Sequence, residues 1–151
     1  MPNYYAYGPR SLNVLLTQLR FSASFLNYDL FKVNILSEPS CRCGNNREDS
    51  YHFFFECRLY TDLRITLLNK LNWLPDDCIL DLNLLTCGSN LISNEQNEYV
   101  FRCVYEYIKK TERFLLAWIH ICVSKTTKPH TSHITFFLLF FFMYSFFVYI
   151  S

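Results

Sequence analysis

Apolar residues recur along this chain at helical spacing. Leu12, Leu15, Leu16 and Leu19 stand at i, i+3, i+4 and i+7, with polar Asn13, Thr17, Gln18 and Arg20 between them, which is the pattern of a helix with one dry face. Ser11 is placed to cap it. A shorter apolar pattern at Leu30, Phe31, Val33 and Ile35 predicts a second helical piece that stops by Pro39. Residues 36–51, which include Gly44, Asn45 and Asn46, read as a loop. After Cys57 the positions Leu59, Leu63, Leu67, Leu68 and Leu71 return to helical spacing, and that helix should end before Pro75. A connector is expected from there to Gly88. Ser93 with Gln96 three residues later fits a capping box, and Phe101, Val104, Ile108, Leu115, Trp118 and Cys122 then hold one face of the longest predicted helix over about six turns. On its outer face Glu98 with Arg102 and Glu106 with Lys110 lie at i, i+4, each pair contributing about 0.2–0.5 kcal/mol.

The last part of the chain has a different pattern. Ile134 to Ile150 is seventeen residues without a charge, seven of them Phe. As a helix it would span about 26 Å, slightly less than the roughly 30 Å of a bilayer's hydrocarbon. Lys125 and Lys128 just upstream favour a cytoplasmic body and a tail anchor. Two other readings stay open, an apolar element packed on the domain and translated T-rich flanking sequence.

Composition supports one folded core. Hydrophobic residues make up 51% of the 151 and aromatics 19%, too much apolar surface for a disordered chain. The net charge of +1 is unevenly spread, because residues 71–98 hold five acids and no base. The basic flanks are weaker than the footprint of a strong standalone nucleic-acid binder, so RNA or DNA is expected to bind weakly if at all. Seven cysteines without an N-terminal apolar run point to a reducing intracellular compartment, where clustered cysteines are more often metal ligands than cystines.

One cluster carries chemistry. Cys41, Cys43, His52 and Cys57 fall within seventeen residues and supply three thiolates and an imidazole, a closed structural set for Zn2+ with no position left for a substrate. Two alternatives stand beside zinc. The residues are buried core thiols with an ordinary histidine, or Cys41 and Cys57 form a disulfide. Such a zinc site carries one net negative charge and would not attract phosphate, so nucleic-acid contacts would fall to Arg42, Arg47, Arg58 and Arg64, which read equally well as solvated arginines. Phe53, Phe54 and Phe55 read first as core and second as a base-stacking platform. No catalytic centre is expected. Cys78, Cys87, Cys103 and Cys122 show no nucleophile spacing with His120, His130 or His133, and Asp76-Asp77 reads as a helix cap.

The predicted architecture is therefore mainly α. An irregular lead-in at 1–10 precedes a small zinc-stapled helical domain at 11–123, a basic linker at 124–133 and an apolar C-terminal helix at 134–151, a possible transmembrane segment.

Several strings, taken together, resemble the segment downstream of the polymerase in non-LTR (LINE-like) retrotransposon reverse transcriptases. They are Leu19-Arg20, Leu26-Asn27-Tyr28-Asp29-Leu30-Phe31, Pro39-Ser40-Cys41-Arg42-Cys43-Gly44, Glu48-Asp49-Ser50-Tyr51-His52-Phe53 with Cys57, and Thr111-Glu112-Arg113-Phe114. The family often has Pro after the last cysteine, where this chain has Arg58, and no Tyr-x-Asp-Asp occurs. The resemblance implies a non-catalytic zinc-binding tail that holds nucleic acid for a larger enzyme, or a degenerate fragment of one. A tail-anchored membrane protein with a structural or interaction domain is the alternative.

Overall fold

The computed structural model describes residues 8–114, within a compact unit spanning Met1–Phe114. These residues are mainly helical and contain no strand. The expected boundary at 123, the linker, the apolar run, and Leu115, Trp118 and Cys122 lie outside the described residues.

The first helix, α1 (Arg10–Arg20), buries Leu12, Leu16 and Leu19 as their spacing requires. Its N-cap is Pro9 and it has no side-chain cap. Ser11 therefore lies inside the first turn, because the fixed φ of Pro9 already sets the entry to the helix. At the other end Arg20 donates to the carbonyl of Thr86, tying α1 to a later helix. The second helix, α2 (Asn27–Lys32), buries only Asp29 and Leu30. The expected apolar pattern does not hold here, since Val33 and Ile35 are 62% and 53% exposed. The local anchor is polar. Asp29 accepts from the backbone N–H and hydroxyl of Ser24 at 3.0 and 2.6 Å and pairs with Lys32 at 3.1 Å.

Helix α3 (Thr61–Lys70) buries Leu67, with Leu71 just beyond its end, while Leu59 precedes it and is exposed. The expected connector contains a helix of its own, α4 (Leu82–Cys87), which buries Leu84, Leu85 and Thr86. Its cap is Asp81, which accepts from Leu84 N–H at 2.8 Å. Asp76-Asp77 is no cap. It lies in a turn closed by Cys78 N–H to the Pro75 carbonyl at 2.9 Å. Gly88 ends α4 at φ 75°, a left-handed conformation that costs glycine little.

Helix α5 (Asn94–Thr111) begins with the expected Ser93/Gln96 capping box but does not run on for six turns. Glu112 takes a left-handed φ of 52°, and this break turns Arg113 inward to 6% exposure. Of the two expected surface pairs, Glu106 bonds to Lys70 of α3, and the Arg102 guanidinium lies 5.1 Å from the Tyr99 ring centre.

Helix α3 packs on α5, and α4 touches both α1 and α5. Val100, Phe101, Val104 and Ile108 of α5 meet Leu84 and Leu85 of α4 and the leucines of α1 in one buried cluster. Each fully buried aliphatic or aromatic side chain of this kind stabilises by about 1.5–3 kcal/mol.

Candidate metal centre

The four donors come from a loop and one wide helical turn. Gly44, at φ 94°, lets the chain reverse between Cys41 and Asn45. Gly44 N–H donates to the Cys41 carbonyl at 2.9 Å and Cys41 N–H to the Asn45 carbonyl at 2.8 Å. A Cβ at Gly44 would meet the Arg58 guanidinium at 3.2 Å, so the turn is also close-packed. Cys41 and Cys43 then sit on one small knuckle, 5% and 6% exposed.

His52 and Cys57 flank a single π turn, His52–Glu56, closed by Cys57 N–H to the His52 carbonyl at 2.8 Å. In an α-helix five residues leave two side chains about 140° apart. The i→i+5 turn widens the ring and lets both donors aim the same way. Asp49 starts this turn by accepting from His52 N–H at 2.9 Å. Phe53 and Phe54, 0% and 1% exposed, anchor its other side. Phe53 packs against Tyr60, Tyr107 and Phe114 with ring centres 5.3–5.5 Å apart, and its carbonyl accepts from the Tyr107 hydroxyl at 2.7 Å. These rings are core, and the base-stacking reading does not suit Phe53 or Phe54.

The structure brings all four predicted ligands together. Their ligand atoms lie within 4.8 Å of one another and all four residues are buried. Cys41 Sγ is 3.8 Å from Cys57 Sγ, and Cys43 Sγ is 3.3 Å from His52 Nε2. A tetrahedral ion with sulfur at about 2.3 Å and nitrogen at about 2.0 Å needs edges of roughly 3.8 and 3.5 Å, so these two edges match and the cluster could hold a metal ion once the wider ones close by up to about 1 Å. The Cys41–Cys57 separation is far from the roughly 2.05 Å of a disulfide, and both cysteines are free thiols.

Burial pushes the Cys41 and Cys57 thiols above their ordinary value. Burial also acts to raise Cys43, but hydrogen bonds from the Asn45 and Arg58 backbone and the two neighbouring thiols outweigh it and lower the group. Without metal Cys43 is thus the most easily ionised of the three thiols, and a metal must displace the protons that the ligands hold.

A second layer surrounds the donors. His52 Nδ1 faces the Glu56 carboxylate at 3.4 Å, an arrangement that fixes a ligating imidazole by its other nitrogen. Cys41 Sγ donates to Glu48 Oε1 at 3.6 Å. Glu48, 3% exposed, also accepts from Asn27 N–H at 3.0 Å and from both Nε and Nη2 of Arg113. Arg113 Nη2 continues to Asn27 Oδ1 at 2.9 Å, and Asn27 Nδ2 donates to the Ser40 carbonyl beside Cys41 at 2.5 Å. Spacing gave no sign of this layer, because Glu48 and Arg113 are 65 residues apart. Only the strings that carry the family resemblance contain Asn27, Glu48 and Arg113.

The four arginines around the cluster divide in two. Arg64 donates to the Cys57 carbonyl at 2.8 Å, and Arg47 pairs with Asp49 at 2.7 Å and lies over the Tyr28 ring. Arg42 and Arg58 are exposed. No helix among the described residues is long and apolar enough to cross a membrane. Comparison with family models, curated proteins and solved structures returns no match.

Proposed function

We propose that this chain is a non-catalytic zinc module that contacts RNA or DNA as the tail of a larger, reverse-transcriptase-like enzyme, or as a fragment derived from one. The observation that carries the zinc reading is the convergence of three sulfurs and one imidazole nitrogen within 4.8 Å. A Cys3His set is soft, closed and four-coordinate, which suits structural zinc and leaves no site for a substrate or an activated water. The nucleic-acid reading rests on the family resemblance, with exposed Arg42 and Arg58 beside the knuckle as its contacts. Arg47 and Arg64 serve mainly to brace the loop.

Metal analysis of the purified full chain tests the first part. One equivalent of zinc is expected, and it should be lost together with the ordered structure of residues 39–57 in Cys43→Ala and His52→Ala. Metal-free protein of unchanged stability would refute it. Retention on single-stranded RNA tests the second part. It should fall with rising salt and weaken when Arg42 and Arg58 are both changed to Ala. Salt-insensitive failure to bind, together with carbonate-resistant membrane association, would favour a tail-anchored interaction protein. The uncharged run at 134–150 is what speaks for that second reading.

A further inference from the structure

We propose that Arg113 is the buried counterion of the metal centre and Glu48 its positioning residue, so that metal affinity depends on a side chain sixty-five residues along the chain from Glu48. The inference rests on the Cys3His reading and deepens it. Three thiolates against a divalent ion leave one negative charge in a buried site. Glu48 adds a second, because its carboxylate receives the Cys41 thiol at 3.6 Å. Two negative charges that close together in a water-poor interior repel each other unless a cation lies beside them.

Arg113 is the buried cation beside them. It grips Glu48 with two nitrogens, a bidentate geometry that a guanidinium supplies and an ammonium cannot. Its remaining bonds go to Asn27 Oδ1 and the Phe25 carbonyl, at 2.9 and 3.3 Å. Arg42 and Arg58 are exposed, so screening weakens their effect on the site, although the Arg58 guanidinium lies against Gly44 of the knuckle. The left-handed Glu112 is what aims Arg113 at this layer. Glu48 also fixes the position of the knuckle through its backbone, which donates to the Pro39 carbonyl at 2.8 Å and accepts from Tyr28 N–H at 3.0 Å.

The test is chelator competition for zinc, with cobalt(II) absorption as a check on tetrahedral ligation, on the full chain. Arg113→Met should weaken zinc binding 10- to 100-fold, the usual range for an outer-layer partner. Arg113→Lys should recover part of that loss. Adding Glu48→Gln to Arg113→Met should recover most of it, because the uncompensated charge is then gone. Arg102→Met removes an equal charge on α5, away from the cluster, and should leave affinity unchanged. Unaltered affinity in Arg113→Met overturns the inference, as does a double variant no better than the single. Variants that stay unfolded in saturating zinc also overturn it, since the pair would then be a folding element alone. If the unaltered chain binds neither zinc nor cobalt, the metal reading itself fails, which is a distinct result.

Discussion

Around Leu19, Leu85 and Val100 this protein is held together by hydrocarbon, with each of these side chains at most 1% exposed. Around Cys41 and His52 it is held by polar groups instead, namely a knuckle turn, a π turn and a carboxylate gripped by a guanidinium. The two regions meet at Phe53, which is core on one side and lies next to a ligand on the other. A helical face can be built from many weak, interchangeable contacts, and each leucine lost is a partial loss. The donor cluster is built from a few directional contacts, and without a metal it gathers three buried thiols that stabilise little. The helical side should therefore stand without the metal, whereas residues 39–57 should not.

If the cluster holds zinc as proposed, removing it is the largest perturbation that this comparison predicts. Binding free energies of about 10–16 kcal/mol in zinc-finger peptides set the upper bound for a structural site. Chelation should expose amides of residues 41–57 to hydrogen exchange while those of α5 near Val100 stay protected longest. Uniform exchange across both regions would show one cooperative unit instead. Leu85→Ala attacks the other side. It should cost about 2–5 kcal/mol in denaturant unfolding and leave zinc stoichiometry at one.

Titration separates the metal-free from the metal-loaded chain by sign. In the metal-free chain burial raises Cys41 and Cys57 above their unfolded value of 9.0, and raises Tyr60 from 10.0 to about 12. Groups with raised folded values contribute stability that is complete below the unfolded value and is lost as pH climbs through the folded one. The metal-free protein should therefore weaken from about pH 9 towards 12, while the lowered Cys43 adds stability only as pH rises up to 9. The metal-loaded protein should weaken in the opposite direction, releasing metal as acid protonates the ligands. Thermal unfolding across pH, with and without zinc, reads both.

Smaller effects refine the helical side. Asn97, 1% exposed, donates to the Ser89, Ile92 and Ser93 carbonyls and accepts from Ser89 N–H. Asn97→Ala should cost about 1–3 kcal/mol by leaving these groups without partners. Ser93→Ala opens the capping box of α5 and should cost about 1 kcal/mol. Both losses are read in urea unfolding of the zinc-loaded chain and should leave its metal content unchanged.

How much of this was legible in the residues varies by element. Helix α1 and the start of α5 were readable because local period and a capping box specify them without help. The ligand set was readable because all four donors lie in one short stretch and share a chemistry few other residues have. Helix α4 was hidden by its six-residue length, which is too short for a period to emerge, although Asp81 and Gly88 bracket it. Val33 and Ile35 misled because apolar spacing does not say whether a partner surface exists. The end of α5 was misplaced because the apolar period continues past Glu112, while the backbone turns there to bring Arg113 inside.

The sequence alone determined the helical class, the dry faces of α1 and α5 and the grouping of Cys41, Cys43, His52 and Cys57 in one short stretch, since each depends on neighbours a few residues away. Tertiary structure decided that a π turn aims His52 and Cys57 together, and that Glu48 meets Arg113 behind Cys41. The Glu48–Arg113 contact joins stretches sixty-five residues apart, and only the burial of the surrounding core makes a carboxylate beside the Cys41 sulfur require a cation.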